Sequence, residues 1–251
     1  MASGPVDDNS AACDVNEADR GFGKCLTRKE QAIEVSVFLL LIVPTIILSY
    51  FITEQADGGG ESFTVLATAT IIRDLALVGL ILFFLWRNGE DTARIGWTSR
   101  HIWTDVGLGL VLFLPVLYAA SLLGALLQQL GLSGPSEEAV QALLPRTPAQ
   151  FALAIALVIV VAISEEFIFR GYLIRRLNSA TGSIVAAILL ASVIFAFGHG
   201  YQGTAGVITV GFIGLIYALV FVWRGSLLAP VVMHLLQNFI GIVAIPYIVN
   251  R

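Results

Sequence analysis

The chain has 251 residues, of which 57% are hydrophobic and 13% charged, with a formal net charge of −4. That charged share is about half of what soluble domains carry, which excludes an ordinary soluble fold. The net charge says little by itself. With no internal repeat and no nucleotide-binding glycine motif, nucleic acid is not an expected partner.

Taken in chain order, residues 1–32 form a polar, Gly-, Asp- and Asn-rich tail, expected to be disordered. It lacks the early apolar core of a signal peptide. Its Cys13 and Cys25 have no histidine nearby and read as incidental, reduced thiols. Seven apolar runs follow, roughly 33–53, 64–86, 104–130, 149–173, 183–199, 205–223 and 226–247. A run of about 20 such residues crosses a bilayer core as a helix. No period-two alternation suggests a barrel. The expected fold is an all-α polytopic membrane protein of about seven transmembrane helices. The short fifth run and the break at Arg73-Asp74 in the second set bounds of six and eight.

Between the runs, TEQADGGGE (54–62) reads as a flexible loop, and 87–103 as a basic loop with Trp97 and Trp103 at interfacial depth. Ser136 can cap a short helix over 137–144, with Glu137 and Glu138 in its first turn. Thr147-Pro148 reads as cap and first residue of the fourth span. Gly206, Gly211 and Gly214 allow close helix packing in the sixth. The chain divides into the tail 1–32, two helices and a basic loop over 33–103, and a membrane domain over 104–247. Ten of the 14 Lys and Arg residues fall in the tail and the loops 87–103, 174–182 and 224–225, against Arg146 and Arg251 on the other side. The positive-inside rule then puts the N-terminus in the cytoplasm and the C-terminus outside.

Chemistry concentrates in VVAISEEFIFRGYL (160–173), where Glu165, Glu166 and Arg170 interrupt an apolar helix. A charge at mid-bilayer costs about 2.5–3.5 kcal/mol, so such residues face a cavity or a partner. Glu166 and Arg170, four apart, can pair on one face. Glu165 points about 100° away and is left without that partner. Two further polar groups sit in apolar helices: His199, four residues after Phe195 in FAFGHG, and His234 with Asn238 one turn on in MHLLQNF. The third histidine, His101, belongs to the basic loop.

Glu-Glu-x-x-x-Arg, Phe-x-x-x-His and His-x-x-x-Asn, in that order on separate helices over 105–245, resemble the CAAX protease and bacteriocin-processing (CPBP/Abi) family of intramembrane endopeptidases. The resemblance implies that Glu165 and His199 hold and deprotonate a water, and that His234 and Asn238 donate to the oxyanion. Glu166, Arg170 and Phe195 would support them. It also implies a cavity open to the cytoplasm and a membrane-associated peptide or protein as substrate. No cofactor is expected; the competing set for zinc is Glu165, His199 and His234. The competing function is an immunity or scaffold protein that binds a partner through the same cavity. A transporter path through Arg73-Asp74, Glu165 and Arg170 lacks the inverted repeat that would support it. One geometric difficulty stands out: Glu165 lies roughly 15 Å from a cytoplasmic end at Arg175, whereas His199 lies roughly 24 Å from Ser183.

Overall fold

The computed structural model describes residues 26–54, 60–98 and 100–249. The expectations for Cys13, Cys25 and all of the tail up to residue 25, and for most of the 54–62 loop, fall outside the described residues. Helix α1 spans Arg28–Glu54, beginning five residues before the apolar run. Helix α2 is Gly60–Asn88, α3 Ile102–Gln129 and α4 the short Glu137–Ala142. Helix α5 runs as one rod over Pro148–Thr181, α6 is Ile184–Phe197, α7 Gly203–Arg224 and α8 Leu228–Ile248. Apart from α4, these helices match the seven apolar runs. Among the described residues, five helices are long and apolar enough to cross a membrane. The protein is an all-helical, integral, multi-pass membrane protein.

The boundaries follow local chemistry. Ser136 Oγ accepts from the Ala139 amide at 3.2 Å, starting α4 over the acidic turn. Thr147 and Gln150 form a capping box at the start of α5, with Pro148 in its first turn. Gly182, at a φ of 70° that a side chain would strain, ends α5 and turns the chain into α6.

Helix α5 forms the hub. Its buried stretch 167–177 packs with α1, the second half of α2 and α6 in the largest apolar core. Its first half meets α2 and α8 through Phe63, Ala67, Leu157, Val158 and Val243. Large apolar side chains point outward in quantity, including Leu40, Val111, Trp103 and Ile248, each more than two-thirds exposed. An exterior this apolar suits hydrocarbon, where each helix satisfies its own backbone.

The two ends of the bundle differ. At one end, the buried Glu34 carboxylate accepts from Arg87 at 2.9 Å, Asn88 at 2.7 Å, Tyr172 at 3.2 Å and Arg176 at 3.0 Å, joining α1, α2 and α5. Arg224 pairs with Asp105 at 2.8 Å on the same side. All the basic loops lie here. At the other end, Gln150 reaches Thr64 at 3.3 Å and Ser133 meets Thr204 at 3.1 Å.

Candidate active site

Helix α5 changes its winding where the chemistry begins. Residues Glu166–Leu173 form a π-helix, in which the Ile174 amide donates to the Phe169 carbonyl five residues back. A second π-helix, Phe239–Ala244, starts directly after Asn238 in α8. Such segments are rare and occur mostly at functional sites. Each here begins at the residue following a candidate group, Glu165 in one case and Asn238 in the other.

The two glutamates face different partners, and Glu166 holds one more than the sequence spacing predicts. Glu166, fully buried, accepts from Arg170 Nη1 at 2.8 Å, as the four-residue spacing predicts. The same oxygen, Oε1, also meets His234 Nδ1 at 2.8 Å. Glu166 therefore anchors a histidine as well as an arginine. Arg170 further donates to the Gly214 carbonyl at 3.3 Å and lies 4.3 Å above the Phe195 ring. A β-carbon on Gly214 would stand 3.0 Å from that ring. The packing expectation for Gly214 holds, and for Gly211, where a β-carbon would come within 3.3 Å of Ala196. At Gly206 a β-carbon would meet only Gln202, one turn back on its own chain.

Glu165 does turn away, as its position one residue earlier requires. Its Oε2 is buried 3.7 Å from His234 Nε2 and takes no hydrogen bond from a protein group. Its Oε1 lies 3.8 Å from Arg73 Nη2 on α2. Arg73 in turn is held at 2.8 Å by Asp74 Oδ1. Arg73-Asp74 thus sits in the body of α2 beside Glu165. Of the two places the sequence allowed for this pair, the outer end of a shorter second helix or the neighbourhood of Glu165, the structure shows the second.

Both histidines have one nitrogen committed. His199 Nδ1 lies 2.9 Å from the Phe195 carbonyl, which can only accept, so Nδ1 carries a proton. His234 Nδ1 faces the Glu166 carboxylate and carries one for the same reason. In each neutral ring, Nε2 is then the acceptor, and it donates only when the ring holds a second proton. Phe195 orders both: its ring is 4.7 Å from that of His199 and 6.1 Å, edge-on, from that of His234.

Glu165, His199, His234 and Asn238 line one cavity of about 790 Å³, together with Arg73, Tyr201, Tyr217 and Gln237. Its remaining wall is mostly apolar and includes Ala139, Val140, Leu143 and Leu144 from α4 and the residues after it. The depth difficulty disappears. Helix α5 continues past Arg175 to Thr181, so Glu165 and His199 each stand seventeen residues from Gly182, on the two arms of one helical hairpin.

None of residues 87–103, 174–183 or 224–227 lines this cavity. It occupies the half of the bundle beneath α4, opposite the basic loops. With a cytoplasmic N-terminus, read from charge, that half of the bundle is the extracytoplasmic one, whereas the resemblance implies a cavity open to the cytoplasm.

As for metal, no group of three His, Cys, Asp or Glu side chains among the described residues is arranged to share an ion. Glu165, His199 and His234 do not fit a common ion as they stand.

Comparison with known proteins bears on this buried carboxylate–imidazole constellation. Residues 147–240 match the family model for type II CAAX prenyl endopeptidase Rce1-like proteins. Over 92 residues the chain is 35% identical to the membrane-embedded CAAX protease MroQ of Staphylococcus aureus (strain USA300). That match covers 34% of this chain and 35% of the relative, about a third of its length. No solved structure matches. The family likeness rests on this segment and on that relative, and neither match spans half of the chain.

Proposed function

We propose that the protein is an intramembrane endopeptidase that hydrolyses a peptide bond of a membrane-associated substrate without a metal. The observation that carries this reading is the convergence of Glu165, His199, His234 and Asn238, from three separate stretches of chain, on one cavity. Glu165 and the Nε2 of His199 offer two acceptors for the two O–H groups of one water. As the water oxygen attacks the substrate carbonyl, its proton passes to one of them and then to the departing amine. The negative charge forming on the carbonyl oxygen needs donors already in place, each worth about 10²–10³ in turnover. Asn238 supplies an amide N–H. His234 supplies a second donor through Nε2 in its doubly protonated form. Glu166 holds His234 by Nδ1, and Arg170 balances Glu166.

The test is peptide release from membranes of cells expressing the wild type, E165A and H199A, read by proteomics. Both variants are expected to insert normally and release nothing; release by both would end the reading. A full biological effect with E165Q would instead favour a protein that works by binding.

Orientation completes the proposal. With the N-terminus in the cytoplasm, the cavity is reached from the extracytoplasmic side, and the substrate presents its cleavable segment there. In a Cys13→Ser, Cys25→Ser background, an impermeant thiol reagent on intact cells is expected to label E138C and spare R100C. The reverse pattern would place the cavity toward the cytoplasm.

A further inference from the structure

The matched family segment begins well past α2, yet α2 contributes the cation nearest Glu165. Arg73 lies thirteen residues into α2, about 20 Å along its axis, where an arginine is costly unless it faces a cavity or a partner. It faces both. The side chain is 31% exposed and lines the cavity, while Asp74, only 1% exposed, grips its Nε and Nη2 through one oxygen at 2.8 Å. A planar guanidinium held along one edge cannot rotate, so its direction is set. The resulting row runs Asp74, Arg73, Glu165, His234, Glu166, Arg170, with each carboxylate next to a cation or an imidazole.

The two oxygens of Glu165 are not equivalent. Oε2 is sealed against His234. The side chain nevertheless keeps 10% of its surface exposed, and Oε1 is absent from the buried, unpartnered atoms. Oε1 is therefore the oxygen that reaches the cavity, and it is the one Arg73 faces at 3.8 Å.

We infer that Arg73, fixed by Asp74, is a positioning residue for the proposed hydrolysis, holding Glu165 so that Oε1 is presented to the water. The inference rests on the functional reading above. It differs from a substrate role, in which Arg73 would bind a carboxylate of the peptide, and from a packing role, in which it would only fix α2 against α5.

Infrared difference spectra separate these without any substrate. Wild type minus E165Q isolates the Glu165 carboxylate stretch; R73Q minus R73Q/E165Q isolates it in the absence of the cation. The expected result is a displaced band in R73Q and a near-native one in R73K. The double variant R73Q/D74N removes both charges together, so that neither is left unpaired, and the same displacement is expected there. Peptide release is expected to fall on the order of 10²-fold in R73Q, the cost of misplacing a reacting group by about 1 Å, and to recover in R73K. An unchanged band in R73Q or R73Q/D74N overturns the inference, even where release falls, because the loss would then lie in substrate contact. Release by E165Q would sink the functional reading instead, whatever the band does.

Discussion

Replacing Glu166 with glutamine should distinguish the two adjacent glutamates most sharply. Glu166 is fully buried and Arg170 is 1% exposed, so solvent does not screen their 2.8 Å pair. Removing one member of a buried pair costs about 3–5 kcal/mol, because the other charge is left uncompensated. Arg170 keeps the Gly214 carbonyl and the Phe195 ring, which points to the lower end, about 3 kcal/mol. For a chain of this size that is about 6–12 °C in Tm. E165Q breaks no hydrogen bond within the protein and should stay within about 1 kcal/mol of wild type. The assay is thermal unfolding of detergent-solubilised protein, run beside peptide release. E166Q should lose both stability and release; E165Q should lose release alone. In E166L/R170M, apolar replacement of both partners should recover part of the Tm, the buried His234 Nδ1 being left without an acceptor, while release stays lost. An E166Q protein melting within a degree or two of wild type, or an E165Q protein falling as far, would refute the reasoning.

Three further outcomes follow from the packing and the site. G214A places a β-carbon 3.0 Å from Phe195 Cδ1 and should cost about 1–3 kcal/mol, read as a lowered Tm. E34Q leaves Arg176 and Arg87 short of a shared carboxylate and should lose about 3 kcal/mol with the cavity residues untouched; an unchanged Tm would argue against a structural network. Chelator-washed protein should release peptide at the wild-type rate. Loss on chelation with recovery in zinc would reverse the metal-free reading in favour of Glu165, His199 and His234 as ligands.

Much of this was legible in the sequence because polar groups in hydrocarbon are expensive. The seven apolar runs became seven helices, and the groups interrupting them, Glu165, Glu166, Arg170, His234 and Asn238, line the cavity or brace the groups that do. Ser136 and Thr147 worked as local caps, whose partners lie within three residues. What depends on tertiary distance was not legible. Nothing in the spacing said that Glu166, the glutamate already paired with Arg170, would also take His234 from 68 residues away. The apolar run ended near residue 173, whereas the helix continued to Thr181 because its last turns carry polar residues that a hydropathy reading counts as loop. For Arg73-Asp74 the sequence allowed two readings, the outer end of a shorter second helix or a partner for the neighbourhood of Glu165, and the packing of α2 against α5 selects the second.

The Glu34 cluster has a bearing on how the protein can be divided. Homology marks a stretch of fewer than a hundred residues, and trimming to it is a tempting route to a minimal catalytic fragment. Such a fragment would strip Arg176 of both its acceptors and Glu165 of its cation in one cut. The first two helices are thus no detachable leader: transplanting the motif segment into another scaffold demands substitutes for groups contributed from outside it.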